Sequence, residues 1–137
     1  MGPEKGERLN EQPVKEYCGV SGGVRFAGVH LLIEIWGGRF FNDLPQVERI
    51  LRQAVEDCGA TLLGMDLHEF SPNGGVSGVG LLQESHITIH TWPEYEYAAM
   101  DLFVCGTLDP YKAVPTLKEG FEPRHLQITE VKRGIFQ

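Results

Sequence analysis

The sequence predicts an α+β fold, a two-layer sandwich in which helices pack on one face of an antiparallel β-sheet. Three observations lead to this fold class. Apolar, β-branched segments alternate with two segments of helical periodicity in the order β-α-β-β-β-β-α-β. Several of the predicted strands are joined by links of hairpin length, which is typical of antiparallel sheets. No GxGxxG or GxxxxGKS/T pattern follows a strand, which disfavours a nucleotide-binding α/β fold.

The first predicted strand covers residues 29–36, which are rich in β-branched and large apolar side chains and lie between glycines. A helix is expected to begin at Asp43, with Pro45 in its first turn, and to end at Gly59. Its apolar positions follow the i, i+3, i+4, i+7 spacing and are Val47, Ile50, Leu51, Ala54, Val55 and Cys58. Residues 61–70 form the second predicted strand.

The second half of the chain continues the sheet. Residues 71–78 are dense in turn formers and predict a loop or hairpin. Asp109 is a candidate cap for a second helix that reaches residue 121, and Pro115 would limit or kink that helix. The remaining strands are predicted over residues 79–82, 86–91, 98–105 and 126–131, with an interruption near Glu84 and Ser85.

Length and composition predict one domain over residues 26–137, preceded by a mobile tail over residues 1–25 that carries no chemistry. We expect a soluble, cytoplasmic protein without a membrane partner, since neither a secretory signal nor a long apolar run is present. A net charge of −7 without a basic cluster argues against nucleic acid and would suit a cationic small ligand.

The three cysteines are Cys18, Cys58 and Cys105, and they are widely spaced without a CxxC pattern. An odd number at such spacings suggests neither a disulfide framework nor a zinc site, so free thiols are expected. We assign no function to Cys18 or Cys58.

Residues 84–94 read ESHITIHTWPE and form the most informative segment. Upstream lie FSP (residues 70–72) and GVSG (residues 75–78), and downstream lies AAMDLFVCG (residues 98–106). Together these motifs resemble the S-adenosylmethionine decarboxylase family, specifically its short bacterial and archaeal type. The resemblance covers roughly residues 29–106.

The resemblance implies a proenzyme that cuts its own backbone between Glu84 and Ser85. Ser85 Oγ would attack the Glu84 carbonyl and exchange the amide for an ester. A base then removes the Ser85 α-proton, the ester eliminates, and hydrolysis of the resulting dehydroalanine leaves a pyruvoyl group. The products are residues 1–84 and 85–137, which stay folded together. The family pattern implies His90 as the processing base and Ser77 as its helper.

By the same resemblance, the pyruvoyl group made from Ser85 takes the place of an external cofactor, so neither a metal nor pyridoxal phosphate is needed. It would form a Schiff base with the substrate amine and accept electrons as CO₂ leaves. Cys105 would return a proton to the α-carbon. The reaction would convert S-adenosylmethionine to the aminopropyl donor of spermidine synthesis.

Substrate-binding residues are suggested by chemistry and by family position. Aromatic faces attract a sulfonium and stack on adenine, so Phe70 and Trp92 are candidates for the ligand platform. Glu94 matches the family position that accepts hydrogen bonds from the ribose hydroxyls. Family members of this length are dimers, so a symmetric homodimer is expected, with Phe70 drawn from the neighbouring protomer.

Each of these residues also has an ordinary structural interpretation. Phe70 and Trp92 could belong to the core, and Ser77 could be a turn residue in a glycine-rich hairpin. Cys105 could be a small buried hydrophobe at a strand end. One extra residue in the segment Asn73-Gly74-Gly75 departs from the family pattern and affects the placement of Phe70 and Ser77.

The two histidines of the motif do not predict a metal site. His86 and His90 are four residues apart, but Ile87-Thr88-Ile89 between them predicts a strand, in which they lie about 13 Å apart. A hydrogen-bonded structural role is expected for His86. Ser85 and His90 have opposite parity and would face opposite sides of a regular strand, so their pairing requires a bend or bulge near Ser85.

Two other functions compete with this interpretation. A pyruvoyl enzyme of the same fold could act on arginine or ornithine, because the electron sink is indifferent to the side chain. A catalytically silent paralogue could instead regulate an active partner. The intact set of Ser85, His90 and Cys105 argues against the silent paralogue.

Overall fold

The computed structural model describes residues 19–21 and 23–136. Seven strands and two α-helices follow one another in this part of the chain. They are β1 (Gly19–Ser21), β2 (Val24–Trp36), α1 (Leu44–Asp57), β3 (Leu62–Glu69), β4 (Val76–Leu82), β5 (Ser85–Trp92), β6 (Tyr97–Cys105), α2 (Val114–Phe121) and β7 (His125–Phe136). Two short 3-10 turns cover Pro93–Tyr95 and Pro110–Ala113.

The strands form one antiparallel sheet in which β2 lies between β6 and β7. From β6 the sheet continues through β5 and β4 to β3, and β1 pairs with the start of β2. Successive strands from β3 to β6 are neighbours, which fits the short links between them.

Helix α1 covers one face of this sheet. The Asp43 side chain accepts a hydrogen bond from the Gln46 backbone N–H and caps the helix start, and a proline occupies the first turn. The buried stripe consists of Val47, Ile50, Leu51, Ala54 and Val55, as the sequence predicted. Burying a side chain the size of Leu51 stabilises the fold by roughly 1.5–3 kcal/mol.

The core lies between this sheet face and the helices. Leu31, Ile33 and Ile35 of β2 are fully or almost fully buried there, together with Ile87 and Ile89 of β5. Alternate positions point to the other face, on which neither α1 nor α2 packs, and we call it the open face. Its side chains include His30, Leu32, His86, Thr88, Asp101 and Phe103 near the middle and His90 toward one edge. The α+β, one-sided architecture predicted from the sequence is therefore confirmed.

Several strands are longer than the sequence predicted: β2 begins at Val24 instead of residue 29, β7 continues to Phe136 instead of residue 131, and β5 includes Ser85. Three further differences concern the predicted loop, the second helix and the tail. Strand β4 begins at Val76, inside the segment predicted as a loop, because Ser77 pairs with His90 of β5. The second helix is divided: Asp109 caps the 3-10 turn, and α2 begins at Val114 with a proline in its first turn. Strand pairing starts at Gly19, within the segment expected to be a mobile tail. Residues 1–18 of that tail, including Cys18, lie outside the described residues.

Within the described part of the chain, every helix is too short or too polar to cross a bilayer.

Candidate active site

Five residues singled out in the sequence surround one cavity of about 340 Å³ at the edge of the open face. We call it the His90 cavity. The five are Phe70, Ser77, His90, Trp92 and Glu94, and Asn73, Gly75 and Thr91 complete the lining. Phe70 is 49% exposed and Trp92 is 39% exposed, so the alternative that these two aromatics belong to the core is wrong.

The hairpin of β4 and β5 positions the two polar groups of this cavity. Ser77 and His90 are register partners, and Ser77 Oγ shares a hydrogen bond with His90 Nδ1 at 2.8 Å. Buried Thr91 fixes the start of β4, since its Oγ1 accepts from the Val76 N–H at 2.8 Å and donates to the Phe41 carbonyl at 2.7 Å. The turn-residue interpretation of Ser77 is therefore wrong, because Ser77 is a strand residue bonded to a histidine.

Asn73 also lines the cavity and holds Glu94. Its Nδ2 donates to both carboxylate oxygens of Glu94 at 3.2 Å, and its Oδ1 accepts from the Gly75 N–H at 2.9 Å. Sequence reasoning noted the extra loop residue but missed this contact. The available signal was the polar side chain of Asn73, which stands in the segment that carries the extra residue.

An aromatic row continues from the cavity across the open face. Trp92, Tyr97, Trp36 and His125 follow one another with ring centroids 5.3, 6.0 and 5.1 Å apart. The hydrogen bond from the Tyr97 hydroxyl to Glu34, with burial and the charge of Glu34 adding to it, raises the pKa of Tyr97 to about 12. Tyr97 therefore stays neutral at physiological pH, and the row offers apolar surface to a planar or cationic ligand.

Ser85 occupies a different place, at the first position of β5 next to a two-residue turn. Its side chain is on the core face with Ile87 and Ile89, and its Oγ is buried without a hydrogen-bond partner among the described residues. A buried, unbonded hydroxyl is unusual and costs about 1–3 kcal/mol. Glu84, just before it, has φ of 60°, in the left-handed region that strains a residue with a side chain.

The expected contact between Ser85 and His90 does not form within one chain. Ladder pairing along β5 is regular from Ser85 to Trp92, all of which the structure describes, and it contains no bend or bulge. The two residues face opposite sides of the strand and stand five positions apart, which corresponds to about 17 Å. An intrachain pair of His90 and Ser85 is therefore wrong.

Cys105 lies at the same end of the sheet as Ser85. It is the last residue of β6, and the pairing of His86 with Phe103 brings the start of β5 beside the end of β6. The thiol is free, half-buried, and 3.7 Å from Thr107 Oγ1. Cys58 differs, because burial raises the pKa of its thiol to about 11, which suits the absence of an assigned role.

Between these two ends lies a polar network that sequence reasoning did not find. Asp101 Oδ2 is 2.6 Å from His30 Nε2 and 3.0 Å from His86 Nε2, and Thr88 donates to Oδ1. A carboxylate in the middle of the apolar strand β6 was the available signal, since a carboxylate in such a place needs a hydrogen-bonding partner on the same face of the sheet. His86 is thus a hydrogen-bonded histidine, as expected.

Among residues 19–21 and 23–136, the one group of side chains that could hold a metal ion consists of His30, His86 and Asp101, whose ligand atoms lie within 4.8 Å of one another. Arg133 Nη1 lies 3.1 Å from His30 Nδ1, and a guanidinium can only donate. His30 therefore carries its proton on Nε2 and donates it to Asp101. This nitrogen is not free to act as a ligand in the observed arrangement.

Comparison with protein families relates this geometry to known proteins. The family model described as S-adenosylmethionine decarboxylase matches residues 29–134. A protein of Methanococcus maripaludis named "S-adenosylmethionine decarboxylase proenzyme" is 44% identical over 113 residues, which cover 80% of this chain and 92% of the relative. A protein of the same name from Thermomicrobium roseum is 42% identical over 109 residues, covering 79% and 94%.

A solved structure agrees with the sequence relatives. The crystal structure of the adenosylmethionine decarboxylase from Aquifex aeolicus VF5 superposes with a TM-score of 0.72 at 30% identity. The match covers 80% of this chain and 92% of that one.

Proposed function

The chain belongs to the S-adenosylmethionine decarboxylase family, and from this premise we propose that it is a proenzyme that cuts itself between Glu84 and Ser85. The cut chain is a carboxy-lyase that converts S-adenosylmethionine to the decarboxylated aminopropyl donor and CO₂. One observation carries the self-cleavage: a buried serine hydroxyl, unbonded within the part of the chain that the structure describes, follows a left-handed, strained glutamate at the start of β5.

Ser85 fits the chemistry of pyruvoyl formation. An unbonded Oγ keeps its lone pairs for attack on the adjacent Glu84 carbonyl, and strain at Glu84 favours a reaction that releases it. As the ester forms, the nitrogen of Ser85 is displaced from the Glu84 carbonyl carbon and stays on Ser85 as a free amine. Loss of the Ser85 α-proton then breaks the ester bond and frees the Glu84 carboxylate. One water is consumed and one ammonia is released as the terminal carbonyl forms.

We assign the processing base to His90, supported by Ser77, but from a second copy of the chain. The 2.8 Å hydrogen bond between these two side chains orients the imidazole, and His90 itself is exposed at the edge of the open face. Because about 17 Å of regular strand separates it from Ser85 of its own chain, it can act only on a neighbouring chain. This requirement supports a homodimer.

The open face, on which neither helix of the described residues packs, supports the same arrangement. Leu32 is 41%, Val79 43%, Leu81 57% and Val131 39% exposed on it, which is a large apolar surface for a solvated sheet. A second copy that covers this face with its own would bury these side chains and bring the His90 cavity of one protomer to the strand end at Ser85 of the other. There His90 would act on the Ser85 Cα–H, since the Ser85 Oγ faces the core. Such an isologous contact is the usual form of a homodimer.

The pyruvoyl group at position 85 would supply the carbonyl that draws electrons from the substrate as CO₂ leaves. Cys105, at the same end of the sheet, then donates a proton to the substrate carbon from its free, half-buried thiol.

The His90 cavity supplies the substrate-binding residues. Phe70 and Trp92 present exposed aromatic faces to adenine and to the sulfonium, and Glu94 accepts hydrogen bonds from the ribose hydroxyls. The hydrogen bonds from Asn73 to the Glu94 carboxylate use part of its capacity to accept and fix its orientation. We further propose a cytoplasmic location, since Cys58 and Cys105 are both free thiols of the kind that a reducing compartment preserves.

The test is intact-mass spectrometry combined with release of labelled CO₂. We expect two fragments, 1–84 and 85–137, whose masses sum to the precursor plus one water minus one ammonia. S-adenosylmethionine should release CO₂, whereas arginine and ornithine should not. Ser85→Ala should fold and stay whole. A parent chain that folds but never cleaves would contradict both the enzyme proposal and the pyruvoyl group.

Two cysteine variants separate processing from turnover. Cys105→Ala should cleave normally yet lose most decarboxylation, about a hundredfold or more, as expected for removal of a general acid. Cys58→Ala removes a thiol of the core and should keep both reactions. If the Cys105→Ala variant decarboxylated S-adenosylmethionine as fast as the parent, Cys105 would not be the general acid.

A further inference from the structure

Asp101 joins the strand that carries Cys105 to the strand that starts at the cut. It lies in the middle of β6, and its neighbours in the sheet are Leu32 of β2 and Thr88 of β5. His30 and His86 reach its Oδ2 from the next row of the open face, and the His86 bond is 3.0 Å long. The Asp101 side chain is 20% exposed and that of His86 is 37% exposed.

The charge states of this network follow from its partners. Burial by itself would raise the pKa of Asp101, but the hydrogen bonds from Thr88, His30 and His86 outweigh it and hold the pKa below its ordinary value. Asp101 is therefore a fixed anion at neutral pH. Because a carboxylate only accepts, His86 Nε2 donates to it, and a hydrogen bond to an ion is stronger than a neutral one.

The proposed cut changes what holds the start of β5. In the uncut chain Gln83 and Glu84 close the hairpin between Leu82 and Ser85, which are the last register pair of β4 and β5. After the cut, position 85 becomes a chain end, and chain ends fray unless something ties them down. His86 is the first residue behind that end that still has its own side chain.

Resting on the proposed self-cleavage, we infer that Asp101 is a positioning residue that ties down the new chain end through His86. The bond joins β6 to β5 next to the cut, where β5 is no longer covalently linked to β4. It thereby keeps the pyruvoyl-bearing end in register with β6 and at a fixed place relative to Cys105. Neither Asp101 nor His86 needs to touch the substrate for this role.

Hydrogen exchange of residues 86–88 tests the tether in four proteins: the parent, His86→Leu, and each of these in a Ser85→Ala background that cannot cleave. In the cleaved pair, His86→Leu should exchange about tenfold faster, as loss of a charge-assisted hydrogen bond predicts. In the uncleaved pair the two proteins should exchange alike, because the turn still closes the hairpin. A purely structural role of His86 would speed exchange in both pairs.

Two further variants sharpen the result. His86→Gln keeps an N–H donor at similar reach and should restore much of the protection. His30→Leu removes the 2.6 Å partner of the same carboxylate on β2 and should leave residues 86–88 little changed. If His86→Leu does not fold, Asp101→Asn weakens the same bond and should show the same dependence on cleavage.

Each outcome is decisive. Equal exchange of the parent and His86→Leu after cleavage, or equal acceleration with and without cleavage, would overturn the tether while leaving the proposed function intact. A parent chain that stays whole would overturn the proposed function first, and the tether with it.

Discussion

Glu84 and Ser85 are unusual neighbours in an otherwise regular hairpin. One has a left-handed backbone and the other a buried hydroxyl that bonds to nothing among the described residues. Both features cost stability, by about 1–3 kcal/mol each, in a fold that has little to spare. They coincide at the bond that the family resemblance marks for cleavage, which is why we regard them as functional strain.

Asn73 gives the first prediction at the scale of single residues. Asn73→Ala frees the Glu94 carboxylate to rotate, so the apparent KM for S-adenosylmethionine should rise about fivefold, as expected for loss of one ordinary hydrogen bond. The kcat should hardly change, since Asn73 bonds to Glu94 and Gly75 and would act on the ribose, not on the reacting carbon. Steady-state kinetics on the cleaved protein measure both.

Asn73→Asp is the matched control. It has the same shape but places a carboxylate against Glu94, so its KM should exceed that of the alanine variant. A fall in kcat at constant KM would instead mean that Asn73 acts on the reaction itself and not through substrate binding.

At the scale of elements, β5 decides where the chemistry lies. Its regular alternation sends Ser85, Ile87 and Ile89 to the core and His86, Thr88 and His90 to the open face. A bulge would have mixed the two sets and could have closed the site within one chain. Because the strand is regular, one hairpin presents a cleavage site at one end and a histidine at the other.

Helix α1 gives a prediction of stability without chemistry. Asp43→Ala removes the side chain that accepts from the Gln46 N–H and should lower the free energy of unfolding by about 1 kcal/mol. The cap lies at the helix layer, so cleavage in the same preparation should proceed as in the parent. Urea unfolding in a Ser85→Ala background measures the loss on one uncut species.

Asp43→Asn keeps a capping oxygen and should recover most of that stability. If the alanine variant unfolds at the same urea concentration as the parent, the cap contributes nothing measurable and the buried stripe alone holds the helix.

At the scale of the molecule, the chain carries two half-sites. The Ser85 end holds the cleavage bond and Cys105, and the His90 cavity holds the base and the substrate-binding residues. In a dimer that brings the Ser85 end of one protomer to the His90 cavity of its partner, the two half-sites form one complete site.

Mixing two inactive proenzymes tests this pairing. Ser85→Ala keeps His90 but cannot cleave, and His90→Ala keeps Ser85 but lacks the base. Unfolded together and refolded, they should form mixed dimers in which the His90→Ala chain is cut by its partner. The expected mass spectrum shows fragments of the His90→Ala chain alone, with decarboxylation partly restored.

Each variant refolded alone serves as the control and should stay uncleaved. Cleavage of the His90→Ala chain alone at the parental rate would show that His90 is not the base. A mixture in which nothing is cleaved would contradict a site shared between chains.

Much of the fold was predictable because its signals are local. The β-branched, apolar segments predicted the central strands, and the spacing of Val47, Ile50 and Leu51 predicted α1 and its buried face. The eleven-residue motif was enough to single out Ser85 and His90 and to raise the conflict in their parity. The start of β4 at Val76 was missed because its glycine-rich sequence is typical of a turn. The segment is a strand because it pairs with β5, and that pairing is not visible in the local sequence.

The sequence by itself determined the architecture, the family and the residue types that carry the chemistry, since these depend on periodicity and on short motifs. Only the tertiary structure decided which of those residues meet. Asp101 and His30 are 71 positions apart, Asn73 and Glu94 are 21 apart, and both pairs touch. Ser85 and His90, five apart, do not. The physical reason is that contact across a sheet is set by strand register and by face, and both are fixed by pairing between distant segments.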